Sequence, residues 1–145
     1  MNDINRAPKR RRILLADDDA VIQEVVQRLA ERRGHALLQA NTGRGALALA
    51  ISAQPDIIVL DLEFPDADGR DILCQLKADN RTKHIPVVVW SGRDGHGSDN
   101  KISLNRGAED FVEKGEAGPL LLKLERVLLR LDQERARRTS VENAR

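Results

Sequence analysis

The chain has 145 residues, 41% hydrophobic and 32% charged, with a formal net charge of +1, enough for one domain with a proper core and too apolar for a disordered polymer. Aromatic residues make up only 2%, so the core must be aliphatic and little is available to stack on nucleic-acid bases. No apolar run approaches the ~20 residues that span a bilayer, the basic start MNDINRAPKRRR leads into ILLADDD and makes a poor signal peptide, and the lone Cys74 excludes an internal disulfide and fits a reducing, cytoplasmic setting.

The small net charge hides an uneven distribution. Arg6, Lys9, Arg10, Arg11 and Arg12 stand against Asp3 in residues 1–12, and so short a basic run reads first as a solvated arm. A strand is predicted over 13–16, ending in Asp17, Asp18 and Asp19. A helix over 20–33 follows, with Val21, Ile22, Val25, Val26 and Leu29 on one face. Asp18 or Asp19 can cap it, and Gly34 suits its end. A weaker strand is expected over 36–40, a turn over 41–45 and an alanine-rich helix over 46–53.

The next stretch, PDIIVLDLEFPDADG over 55–69, organises the rest. Ile57 to Leu60 form an unalternated, partly β-branched run, the signature of a strand buried on both faces of a parallel sheet. The run stops at Asp61, and an acid ending an apolar strand is costly unless it has a cation or a task. Pro65, Asp66, Asp68 and Gly69 are turn formers, and Asp68 can cap a helix over 69–78 carrying Ile72, Leu73 and Leu76. Pro86 opens a strand over 87–90, and a glycine-rich loop follows Ser91. A weak helix is expected over 100–106, a strand over 110–113, and a long last helix from Gly118-Pro119 to about Arg135.

Alternating strands and helices imply a parallel sheet covered on both faces, whose carboxyl edge is the usual ligand site. Asp17, Asp18, Asp61, Ser91 and Lys114 would meet there. Close carboxylates raise one another's pKa unless a cation sits among them, and a hard, oxygen-binding Mg²⁺ fits.

These residues resemble the response regulator receiver family. The match rests on Asp17-Asp18, on the run from Asp61 to Gly69, on Ser91, and on Gly107-Ala108-Glu109-Asp110-Phe111-Val112-Glu113-Lys114. It covers about 12–131, leaving 1–11 as a basic flexible arm and 132–145 as an arginine-rich extension of the last helix or a tail. The resemblance implies a flavodoxin-like α/β fold: a doubly wound five-stranded parallel sheet, order 2-1-3-4-5, with five helices, the fourth short or irregular. It implies that Asp61 accepts a phosphoryl group from a sensor histidine kinase or phosphotransfer protein. Mg²⁺ would be held by Asp17, Asp18, Asp61 and the backbone carbonyl of Glu63. Ser91 and Lys114 would bind the phosphoryl oxygens, and Phe111 would turn inward behind Ser91 as the switch.

The pattern departs from the family where Gly115, not proline, follows Lys114, and where bulky Trp90 precedes Ser91. The glycine-rich loop and the weak fourth helix also depart from the family's usual signalling face. Cys74, beside Ile72 and Leu73, reads as structural. His35, His84 and His96 form no metal set. Glu63 and Arg93 follow Asp61 and Ser91 by two residues each, and an ion pair between them would obstruct hydrolytic water. On the last helix Leu120, Leu121, Leu124, Val127, Leu128 and Leu131 share the core arc. Leu122 and Leu129 lie opposite and suggest a partner or dimer contact.

The reading is a single-domain response regulator, not an enzyme beyond self-phosphorylation and self-dephosphorylation. It would signal to a downstream protein, without membrane or nucleic-acid partners. One alternative is a receiver-like interaction module independent of phosphorylation. Another is an aspartyl-phosphate hydrolase, which would need a second acid two residues after the nucleophile and a cap domain.

Overall fold

The computed structural model describes residues 9–92, 106–115 and 117–144. Within them the order is β1 (Arg12–Ala16), α1 (Ala20–Arg32), β2 (Ala36–Ala40), α2 (Gly43–Ala53), β3 (Ile57–Leu60), α3 (Gly69–Ala78), β4 (Val87–Ser91), β5 (Asp110–Glu113) and α4 (Ala117–Asn143). The five strands form one parallel sheet in the order β2-β1-β3-β4-β5, as expected. Four helices lie among the described residues. The additional helix expected over 100–106 falls outside them except for Arg106, which is in a turn.

The unalternated apolar runs are explained by two cores, one on each face. Leu14, Ala16, Ile58, Leu60, Val87 and Val89 face one core with α2 and α3. Ile13, Leu15, Ile57, Val59, Val88 and Trp90 face the other, packed on α1 and α4. Every residue of β3 and β4 is buried. A strand with a side chain in each core has no solvent face on which to place polar residues.

Two helices start or face differently from expectation. α2 begins at Gly43, three residues early, because Thr42 Oγ1 accepts the Gly45 amide at 2.9 Å and caps the turn. In α1 the core line is Ile22, Val26, Leu29 and Ala30. Val21 and Val25 lie about 60–100° to one side of Ile22 and are 71% and 45% exposed. Five apolar residues span a wider arc than one contact can cover. Cys74 likewise turns out to be exposed rather than structural.

The last helix runs on to Asn143, past the expected end near Arg135. No glycine or proline interrupts it after Pro119, and its Arg, Glu, Gln and Ala residues favour helix. Leu122 and Leu129 point outward, as the periodicity predicts. No helix among the described residues is long and apolar enough to cross a membrane.

α4 is tied to the opposite end of the sheet through Glu125. Its carboxylate accepts from Arg33 Nε at 2.8 Å and lies 2.9 Å from His35 Nε2. The Arg11 amide donates to His35 Nδ1 at 3.1 Å, so the buried imidazole turns its Nε2–H toward the Glu125 carboxylate. Burial alone would raise the Glu125 carboxyl, but the Arg33 and His35 donors outweigh it and hold it below 4.5. The pair's stability is therefore present above the unfolded value and lost as pH falls through the lower folded one. Glu125→Gln is expected to cost about 1–2 kcal/mol in denaturant titrations near pH 7, with the gap closing as the pH falls through the lowered value of the folded carboxyl. A gap that does not change with pH would show that the charge contributes nothing.

Candidate functional site

The sheet ladder places the acids. The Asp17 amide donates to Ala40 O and the Asp61 amide to Ala16 O, both at 3.0 Å, so the strand pattern continues one residue past β1 and β3. Asp17 is fully buried, Asp61 is nearly so, and Asp18 is exposed. One carboxylate oxygen from each of Asp17, Asp18 and Asp61 falls within 4.8 Å of the others. Asp19 plays a different part: its side chain accepts from the Val21 and Ile22 amides and caps α1. Asp17 Oδ1 in turn accepts from the Asp19 amide at 2.9 Å.

Lys114 joins this cluster despite the glycine that follows it. Its amide donates to Ser91 O at 2.8 Å, which carries the pairing one residue past β5. Its ammonium lies 2.7 Å from Asp17 Oδ2 and 2.9 Å from Asp61 Oδ2, and 5.6 Å from the centre of the Trp90 ring. Burial opposes the charge on Lys114, but the contacts with the Asp17 and Asp61 carboxylates outweigh it and raise its pKa. For Asp17 the balance is reversed. Burial pushes its carboxyl above 3.8, and Lys114 offsets only part of that.

Ser91 ends β4, is 2% exposed and pairs in register with Glu113. Phe111 is half-buried against the α2/α3 core. Glu63 is exposed, and its amide donates to Asp61 Oδ1 at 3.2 Å. Arg93, its expected partner, lies outside the described residues, as does His96. The structure thus brings together Asp17, Asp18, Asp61 and Lys114, with Ser91 bonded through its carbonyl to Lys114.

Three supports were not legible as such. Asp66 reaches from the β3–α3 loop to α2, accepting the Gly43 amide at 2.9 Å and the Arg44 amide at 3.2 Å. These amides, the Gly43 one first, lower its pKa. Gly69 packs its Cα against the backbone of Asp61 and Leu62. Trp90 lies beneath Lys114. Only Trp90 carried a visible signal, its bulk beside Ser91.

The donor set suits a divalent cation. Three carboxylates meet one ammonium, so the cluster is net negative. Asp17 Oδ2 is buried, and Lys114 is close enough to form an ion pair without being aligned as a hydrogen bond. All the offered atoms are hard oxygens, the ligands Mg²⁺ takes.

The family model of the response regulator receiver domain matches residues 13–125. The chain is 35% identical over 123 residues to the DNA-binding dual master transcriptional regulator RpaA of Synechocystis, covering 84% of this chain and 51% of that protein. It is 34% identical over 103 residues to the phosphate regulon regulator PhoB of Pseudomonas aeruginosa, covering 70% of this chain and 44% of that one. The chain thus spans about half the length of the curated relatives it matches. Among solved structures, NtrX of Brucella abortus superposes with a TM-score of 0.80 at 29% identity, over 94% of this chain and 30% of that one. The receiver domain of a Francisella response regulator superposes with a TM-score of 0.76 at 27% identity, over 83% of this chain and 98% of that one. The chain therefore belongs to the response regulator receiver family.

Proposed function

We propose that this receiver domain, residues 12–131, is a phosphoacceptor switch that takes a phosphoryl group on Asp61 with Mg²⁺. The observation that carries the reading is the convergence of the Asp17, Asp18 and Asp61 oxygens within 4.8 Å, with Lys114 contacting both buried acids. An Asp61 carboxylate oxygen attacks phosphorus as the bond from phosphorus to the donor's histidine nitrogen breaks, and the imidazole leaves. Catalysis of this kind is positioning and charge neutralisation. Asp17, Asp18, Asp61 and the Glu63 carbonyl would hold the cation, which supplies screening of the phosphoryl charge. Lys114 pairs with a phosphoryl oxygen and the Ser91 hydroxyl donates to another. Drawing Ser91 inward makes room for Phe111, the two-state element.

On this reading the domain turns over only its own phosphoryl group and is not otherwise an enzyme. Its donor is a sensor histidine kinase or phosphotransfer protein, and the exposed Val21 and Val25 on α1 offer it an apolar contact next to the acids. The low aromatic content does not exclude a DNA output, because one relative is named as a DNA-binding regulator. The test is incubation with acetyl phosphate and Mg²⁺ followed by intact mass. A single base-labile phosphoryl adduct is expected on the wild type and none on Asp61→Asn. No adduct on the wild type would favour a phosphorylation-independent interaction module, and continuous phosphate release a hydrolase.

The exposed Leu122 and Leu129 lie seven residues apart on α4 and suit a second copy of the chain. Replacing both with Gln is expected to lower the dimer fraction in sedimentation. An unchanged distribution would remove this contact.

A further inference from the structure

We propose that Trp90 is a positioning residue for Lys114, its indole face holding the ammonium against Asp17 and Asp61. The inference rests on the phosphoacceptor reading for its consequence, but not for its geometry.

Three observations carry it. The Lys114 ammonium lies 5.6 Å from the Trp90 ring centre, within the reach of a cation–π contact. It is only partly exposed, its side chain at 21%, and partial desolvation strengthens such a contact. The residue after Lys114 is Gly115, where an added Cβ would meet nothing within 4 Å among the described residues. Glycine is the most permissive residue in backbone conformation, so no side chain at this position stiffens the segment that carries Lys114. A lysine on a four-carbon stem needs its direction set by something else. The two carboxylates supply attraction, and the ring supplies a fixed wall from which the ammonium is held.

The choice of tryptophan supports the same conclusion. Trp90 is 2% exposed, yet its Nε1–H has no hydrogen-bond partner among the described residues. A buried donor without an acceptor is a cost that leucine or phenylalanine would avoid. Core filling by the indole therefore carries a polar cost that an aliphatic or phenyl side chain would not. The indole π-face is the strongest of the aromatic side chains for a cation.

The experiment uses the full chain with Trp90→Phe and Trp90→Leu, and has two readouts. The first is the proton shift of the Lys114 ε-methylene, assigned by its loss in Lys114→Arg. The second is the rate of adduct formation with acetyl phosphate and Mg²⁺. In the wild type the ε-methylene is expected upfield of the other lysines, because it adjoins an ammonium that lies over the Trp90 ring. Trp90→Phe is expected to retain part of that shift and most of the rate. Trp90→Leu is expected to lose the shift and slow adduct formation roughly three- to tenfold, the range a partly desolvated cation–π contact covers. A core role alone predicts no upfield shift in the wild type, with both smaller side chains leaving a cavity that lowers stability. A wild-type ε-methylene with no upfield shift overturns the proposal, as does a Trp90→Leu protein that keeps the wild-type rate. If Trp90→Leu does not fold, the wild-type shift and its partial retention in Trp90→Phe decide alone. If the wild type forms no adduct, the phosphoacceptor reading fails while the shift still decides whether Trp90 holds Lys114.

Discussion

Gly69→Ala is expected to unfold the chain more readily and to disable the site together. A Cβ at residue 69 would stand 2.4 Å from Leu62 Cα, 2.5 Å from Asp61 O and 2.7 Å from Leu62 C. All three are backbone atoms, so no side chain can rotate out of the way. Relief requires α3 or the Asp61–Leu62 segment to move by about 1 Å, since carbon contacts settle near 3.5–4.0 Å. Such overpacking costs about 2–3 kcal/mol, or roughly 5–15 °C in the thermal midpoint for a chain of this size. The movement also strains the 2.8 Å bond from the Gly69 amide to Leu62 O. It falls on Asp61, the proposed phosphoacceptor, and a misplacement of this size costs about a hundredfold in rate. Differential scanning calorimetry and adduct kinetics with acetyl phosphate measure the two effects separately. Gly118→Ala is the control. Among the described residues nothing lies within 4 Å of its added Cβ, it sits in the first turn of α4, and alanine there is neutral or mildly stabilising. A Gly69→Ala protein with the wild-type midpoint and rate would mean that the close approach is not needed.

The contrast between these two glycines shows what the amino-acid sequence could and could not reveal. The strands were legible because each central one needs an apolar residue on both faces, and Ile57 to Leu60 state that without ambiguity. The site acids were legible because an apolar run that stops at an acid, as the first and third strands both do, is costly without a cation or a chemical task. Lys114 was legible only through its order after Phe111 and the fifth strand. By contrast, the start of α2 depended on Thr42 and on Asp66, a distant residue that leaves no mark on local periodicity. Val21 and Val25 looked like core because their spacing is helical. Which part of an apolar arc meets the sheet is fixed by the angle at which the helix crosses it, and that is a tertiary fact. Gly69 read as a turn residue, whereas its lack of a side chain is required by the backbone of a different element. The Trp90–Lys114 contact joins two strand ends that are neighbours only once the sheet order is known.

Lys114→Met is expected to lower stability by about 2–3 kcal/mol near pH 7 in the absence of divalent cations. Removing one partner from a buried ion pair costs about 3–5 kcal/mol, and the lysine's partial exposure reduces that. The loss is specific in its pH dependence. Burial already pushes the Asp17 carboxyl above 3.8, with Lys114 offsetting part of the rise, so removing the ammonium raises it further. A carboxyl whose folded pKa exceeds its unfolded value binds its proton more tightly when folded. Its penalty is complete above the folded pKa and is relieved as pH falls toward the unfolded value. The deficit of Lys114→Met is therefore largest at neutral pH and shrinks on acidification, whereas a packing defect would persist. Two further arms identify the cause. Asp17→Asn combined with Lys114→Met is expected to be more stable than Lys114→Met alone, because the second change removes the charge that the first left unpaired. Millimolar Mg²⁺ is expected to recover stability in Lys114→Met by binding only the folded cluster, and a chelator to reverse it. If neither the Asp17 change, nor acid, nor Mg²⁺ restores the variant, the lysine's aliphatic packing rather than its charge holds this edge of the sheet, and the electrostatic account of the site fails with it.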